Sequence, residues 1–203
     1  MKKLVIIGAS AMGRETCGYA RECGISVKGF LDSRIGLLDC YSGYPPIVSS
    51  VEDYDIDPED VFVCAIGDPL KRCHYVETIK NKGGAFVSIV HHLAYVGQNV
   101  RIGVGCIVCP NVSITSDVII GDHVILNTHS SINHDCNIGD YSTISPGCHI
   151  AGWCNIGAKS FMGIHSAIIP HASLGEGVYV AAGGVVTKSI ETGRVMGIPA
   201  RPK

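Results

Sequence analysis

No run of apolar residues in this chain approaches the ~20 that a bilayer span requires. The stretch after Met1-Lys2-Lys3, Leu4 to Ile7, ends at Gly8, too short for the core of a secretory signal. The expectation is a cytoplasmic protein with no membrane partner. The ten cysteines include a single C-x-x-C pair, Cys106 and Cys109, with no second pair to complete a four-thiolate site. Cys106 falls within a six-residue repeat, so the expectation is buried, reduced thiols rather than a zinc site or a redox pair. Excess charge is missing too. Sixteen Lys and Arg against eighteen Asp and Glu leave a net charge of −2, which gives nucleic acid or an anionic surface nothing to bind. A P-loop is excluded because Arg14-Glu15 stands where Lys-Ser/Thr is needed.

What is present is a period. From Val96 to Val186 every sixth residue is aliphatic: Val96, Ile102, Val108, Ile114, Ile120, Leu126, Ile132, Ile138, Ile144, Ile150, Ile156, Met162, Ile168, Leu174, Val180 and Val186. With these four residue types at roughly a quarter of positions, chance would give such a run on the order of once in a billion. A period of six fits neither an amphipathic helix nor an alternating strand. It is the repeat of a hexapeptide β-solenoid, in which three hexads close a triangular coil and successive coils stack at ~4.8 Å. Four residues after each marker the side chain is small or β-branched, as at Cys106, Val112, Cys136, Ser142, Cys148 and Cys154. Gly directly follows the marker at Gly97, Gly103, Gly121, Gly139, Gly157, Gly163 and Gly175, which predicts corner conformations that a Cβ would obstruct.

The first ninety residues read differently. Lys3–Ile7 is a short buried strand running into Gly8-Ala-Ser-Ala-Met-Gly13, and Arg14–Glu22 a helix. Ile25–Leu31 and Val61–Ile66 are further strands, Pro69–Lys82 a second helix, and Ala85–Val90 a last strand. These βαβ units predict a small Rossmann-like α/β domain over 1–90, followed by an all-β parallel β-helix with a C-terminal cap over 91–203. Ser10 occupies the place of the middle glycine of the dinucleotide fingerprint. The loop therefore has two readings, a phosphate cradle at the helix N-terminus or a tight turn that needs Gly8 and Gly13 only for its shape. Asp32 and Asp68 lie at strand ends beside it, where open α/β sheets place ligands.

The chain resembles the PglD/NeuD-like sugar acetyltransferases over nearly its whole length. The resemblance is carried by Val5-Ile-Ile-Gly8 with Gly13-Arg14, Gly29-Phe-Leu-Asp32, Ala65-Ile-Gly67-Asp68 with Arg72, Asn127-Thr128, Ile132-Asn-His134-Asp135-Cys136, and Gly197-Ile-Pro-Ala-Arg201. It implies a left-handed coil, against the right-handed rule for ordinary crossovers. It further implies a homotrimer, with acetyl-CoA as cosubstrate in a groove between neighbouring prisms, and no metal. The acceptor it implies is an amino or hydroxyl group of a sugar, nucleotide-linked or a free sialic acid, in surface glycan biosynthesis. Gly8, Ser10, Met12, Gly13, Asp32, Asp68 and Arg72 would then form the acceptor site, Met12 replacing a His common in relatives. Thr143 replaces a second His near the acetyl group and falls, with Gly152, Lys188 and Arg201, to the acetyl-CoA site.

Acetyl transfer from a thioester removes a proton as the nucleophile attacks, and imidazole titrates in the range that suits this. Taken alone, His134 is equally a polar residue on the outside of a coil; the resemblance makes it the general base, with Asp135 orienting its ring. Gly152 is one coil away in the same column, and its N–H is the expected donor to the thioester carbonyl. From Val186 onward Lys188, Arg194, Arg201 and Lys203 face only Glu191, whereas Val96 to Val185 hold just Arg101 and Lys159 as cations. Phosphates would find positive charge at that end.

Two rivals remain. A carbonic-anhydrase-like enzyme would place three His around a metal, and His129 and His134 have the spacing of two ligands, but Leu93 stands where the third belongs. A noncatalytic solenoid that binds a sugar nucleotide would leave the His-Asp pair without a purpose.

Overall fold

The computed structural model describes residues 2–202. In the N-terminal domain, five parallel strands form one sheet: β1 (Lys3–Ile7), β2 (Val27–Leu31), β3 (Ile47–Ser49), β4 (Asp60–Cys64) and β5 (Ala85–Phe86), in the order β3-β2-β1-β4-β5. The helices are α1 (Ala11–Glu22) and α2 (Pro69–Asn81). Leu4 to Ile7 and Phe62 to Cys64 are buried, because a central parallel strand has packing on both faces and reads as a continuous apolar run. The edge strand β3 is half-exposed and polar at its end, so it gives no such run.

The strand expected over 85–90 is split. Ala85–Phe86 pairs with β4 in the first sheet, while Ile89–Val90 pairs with Ile107–Val108 and begins the solenoid. The solenoid thus starts at residue 89, and Val90 extends the series of markers by one hexad.

Above it, two-residue strands stack in register every eighteen residues and form three parallel faces. The first face contains Ile107, Ile125, Thr143, Phe161 and Tyr179 as outward residues, the second Ser113, Ser131 and His149, the third Ile119, Asn137 and Asn155. Markers from Val108 to Val186 are buried. Val96 is 39% exposed because it sits at the open first coil. All ten cysteines are free, and those in the inward slot are buried.

The corners differ from expectation in one respect. Left-handed backbone falls three residues after each marker, at Asn99, Gly105, Asn111, Asp117, His123 and every sixth residue to Gly183. The glycines directly after the markers serve close stacking instead. A Cβ on Gly139, for example, would fall on the backbone of Gly157 and Ala158 in the next coil.

Candidate active site

His134 stands at the corner between the second and third faces. Its Nδ1 is 2.9 Å from Oδ2 of Asp135, and the left-handed φ of 58° at Asp135 turns that carboxylate back toward the ring. With the Nδ1 proton donated to the carboxylate, the lone pair is on Nε2, the tautomer a general base requires. The ring lies over Gly152, which is buried and whose N–H has no partner among the described residues. The Trp153 indole is perpendicular to the imidazole, with ring centroids 4.4 Å apart at 88°. An imidazole with a free Nε2 thus lies beside a free backbone donor, an arrangement suited to acyl transfer to a neutral nucleophile.

Cys136, two residues on, is 1% exposed and points inward. Its sulfur accepts from Cys154, which favours its thiolate and raises the pKa of Cys154, yet it has no open face for an acyl group. Lys188 is exposed in the column of His134, three coils on, about 14 Å along the axis at the usual strand spacing. Arg201 is exposed where Arg201–Pro202 pairs antiparallel with Arg194–Met196. Lys203 lies outside the described residues.

A separate cleft of about 330 Å³ opens at the C-terminal ends of β1, β2 and β4. Gly8, Ser10, Asp32, Arg34, Gly67 and Lys71 are among its lining residues. Gly8 has φ of 94°, and Ser10 precedes α1 without capping it through its side chain. The first turn of α1 therefore presents backbone N–H groups, with no acidic residue to neutralise them.

Several residues expected here do other work. Arg72 is fully buried between the domains: Nε donates to the His123 carbonyl at 2.9 Å, Nη1 to Ile66 and Gly67, and Nη2 to Tyr141, Ser142 and Thr143 Oγ1. All its donors are used by protein, so it joins the domains and has none left for an acceptor. Burial pushes its pKa down to about 10, still charged at neutral pH.

Thr143 shares that interface. Its hydroxyl donates to the Gly67 carbonyl at 2.7 Å and accepts from Arg72, and the residue is buried, so it has no open face toward acetyl-CoA. Asp68 caps α2, accepting from Leu70 and Lys71 N–H. Met12 is half-buried and packs against the apolar core, and Gly13 is packed against the Gly8 carbonyl. Asp32 lines the cleft but is saturated: it accepts from Ala9 N–H and from the backbone N–H, Nε and Nη2 of Arg34. Those bonds outweigh its burial and hold its carboxyl below the usual range. Its effect is to fix the Arg34 guanidinium at the cleft mouth.

Arg34 and Lys71 are the cations of this cleft, and neither is apparent in sequence. Arg34 could have been suspected from its place two residues after Asp32, Lys71 from the first turn of α2. A second cleft, about 560 Å³, lies between Asp68-Pro69-Leu70 and the solenoid residues Phe161, Tyr179 and Arg194. Phe161 and Tyr179 stack at 4.9 Å, and Arg194 sits over Tyr179 at 4.8 Å.

Among the described residues one group has metal-ligand character, Glu22 with His91 and His92. His91 Nδ1 accepts the Leu93 N–H, which leaves the Nε2 proton facing Glu22 at 2.8 Å. That is a closed hydrogen-bonded pair rather than an open ligand set, far in sequence from His134.

The comparisons with known proteins follow this division. Residues 3–79 match the PglD N-terminal domain and residues 117–152 the bacterial transferase hexapeptide (six repeats). The acetyltransferase domain of PglB from Neisseria gonorrhoeae is 27% identical, with a TM-score of 0.92 and all of both chains covered. The combination of a PglD N-terminal domain with hexapeptide repeats is that of the PglD/NeuD-like acetyltransferases, the family this chain is similar to along its whole length. Its solenoid is the left-handed β-helix of that family. PerB from Caulobacter crescentus, solved with CoA and GDP-perosamine, is 28% identical with a TM-score of 0.91, covering 100% of this chain and 98% of its own. WeeI from Acinetobacter baumannii AYE is 28% identical with a TM-score of 0.88, 99% of each chain being covered.

Proposed function

We propose that the protein transfers the acetyl group of acetyl-CoA to an amino or hydroxyl group of a nucleotide-linked sugar, with His134 as the general base. The observation that carries this is the His134 corner, where Nε2 is free to accept a proton and the adjoining Gly152 N–H is unpartnered. The acceptor's N–H or O–H gives its proton to Nε2 as it attacks the thioester carbon. The carbonyl oxygen takes the developing charge toward the Gly152 N–H, and CoA leaves as the thiol with the proton that Nε2 returns. No acyl-enzyme forms, in keeping with the inward Cys136.

The sugar nucleotide is assigned to the cleft at Gly8, Ser10, Arg34 and Lys71, whose two cations and helix N-terminus suit a diphosphate. PerB, bound to CoA and GDP-perosamine, supports this class of acceptor and cosubstrate. The cleft's lining residues belong to the N-terminal domain and do not include His134. This supports a homotrimer in which the base of one protomer meets the acceptor held by its neighbour. The aromatic and cationic wall of Phe161, Tyr179 and Arg194 is assigned to the coenzyme. The reading places the reaction in the cytoplasm, in surface glycan biosynthesis.

The test is release of CoA thiol from acetyl-CoA across UDP-, GDP- and CMP-linked amino sugars and free sialic acid, with the product's new amide or ester identified by mass and hydroxylamine sensitivity. Turnover on one acceptor is expected. A chain that binds neither acetyl-CoA nor any sugar nucleotide would contradict the proposal.

A further inference from the structure

Trp153 is the chain's one tryptophan, and it occupies a corner position at φ 57° where its column otherwise holds Asn99, Asp117, Asp135 and His171. A large aromatic gains nothing from this left-handed backbone, and its side chain is not sunk into the core, since the residue is 52% exposed. Its neighbours explain its orientation. In the coil above, His171 stacks on the indole at 4.8 Å and 6°. The opposite indole face is thereby turned to the coil below, where His134 stands perpendicular to it at 4.4 Å. The Cε1–Nε2 side of that imidazole lies against Gly152, the residue joined to Trp153. The base is therefore held on three sides: Asp135 at Nδ1, Gly152 along its edge, and the indole.

We infer that Trp153 is a positioning residue for His134, fixing the plane of the imidazole and stabilising the imidazolium it becomes when it takes the acceptor's proton. An aromatic face carries partial negative charge, so it attracts a cation placed over it and does little for the neutral ring. This favours the state that follows proton transfer over the state that precedes it, which is the difference catalysis requires. The groups that face the imidazole are Asp135, which also favours its charge, and beyond the indole His171, whose own protonation would compete for the same π-cloud. The catalytic part of this inference rests on His134 acting as the base, whereas the contact itself does not.

The experiment follows the imidazole Cε1–H resonances of the full-length protein by NMR across pH, with His134 assigned by its loss in His134→Ala. In Trp153→Leu the His134 midpoint should fall by about half a pH unit, the size of an exposed cation–π contact. In Trp153→Phe, which keeps an aromatic face, it should stay near the wild-type value. On the acceptor found by the thiol assay, Trp153→Leu should lower kcat about tenfold with acetyl-CoA affinity unchanged, and Trp153→Phe should recover most of it. An unmoved His134 midpoint in Trp153→Leu overturns the inference. A shifted midpoint in a protein with no transferase activity upholds the contact and overturns the proposed function instead.

Discussion

His134 and Gly152 occupy one column of the solenoid, and the imidazole lies so close to Gly152 that a Cβ there would stand 2.6 Å from Cε1 and 2.8 Å from Nε2. The absence of a Cβ makes room for the imidazole, which then lies beside the unpartnered Gly152 N–H.

Gly152→Ala should therefore act on the base without unfolding the coil. The methyl displaces the imidazole, and turnover falls by ~10²-fold, as for a misplaced catalytic group. Steady-state kinetics beside a thermal melt reads both effects; near-wild-type kcat in the alanine variant would remove Gly152 from the site.

Arg72→Met should destabilise the protein rather than weaken acceptor binding. It leaves the carbonyls of Ile66, His123 and Tyr141 without their side-chain donor and takes one of two donors from those of Gly67 and Ser142, at a cost of about 3 kcal/mol or more for a buried charged group. Urea unfolding measures the loss. Unchanged stability with lost sugar-nucleotide affinity would return Arg72 to the acceptor site.

Acid should loosen the domain interface through His123. That ring is 1% exposed, stacks on Tyr141 at 5.1 Å, and has an unpartnered Nδ1. Burial, with a smaller contribution from the Lys80 charge, lowers its pKa to about 4. The unfolded chain thus takes up a proton that the folded chain refuses, and stability complete above pH ~6.5 is lost as pH falls toward about 4. His123→Phe, which keeps an aromatic ring on Tyr141, should flatten that part of the pH–stability curve. The same slope in the variant would assign it to other groups.

The solenoid was legible because its determinant is periodic: each marker from Val108 onward does one job, filling the prism, and nothing tertiary competes. The shared column of His134 and Gly152 was legible for the same reason, since a spacing of eighteen puts residues in one column, whereas the roles given to His134 and Asp135 came from the resemblance and not from the period. The cleft assigned to the acceptor was legible only in part, at Gly8, Ser10 and Asp32. Arg72 and Thr143 carry groups that serve a ligand or a domain interface equally well, and only the hydrogen-bond partners decide between them. Asp32 lines the cleft as expected, yet three of its four hydrogen bonds brace Arg34 and the fourth comes from the Ala9 N–H, so its carboxylate serves the protein and not a ligand. Trp153 escaped notice because its neighbours, His134 and His171, lie nineteen and eighteen residues away on adjoining coils.

The most direct measurement is turnover and acetyl-CoA affinity of His134→Ala on the acceptor that the wild type uses. His134 as general base predicts turnover lower by ~10²-fold or more with little change in affinity for acetyl-CoA. A variant that turns over at a near-normal rate would contradict it, and the base would have to be sought elsewhere.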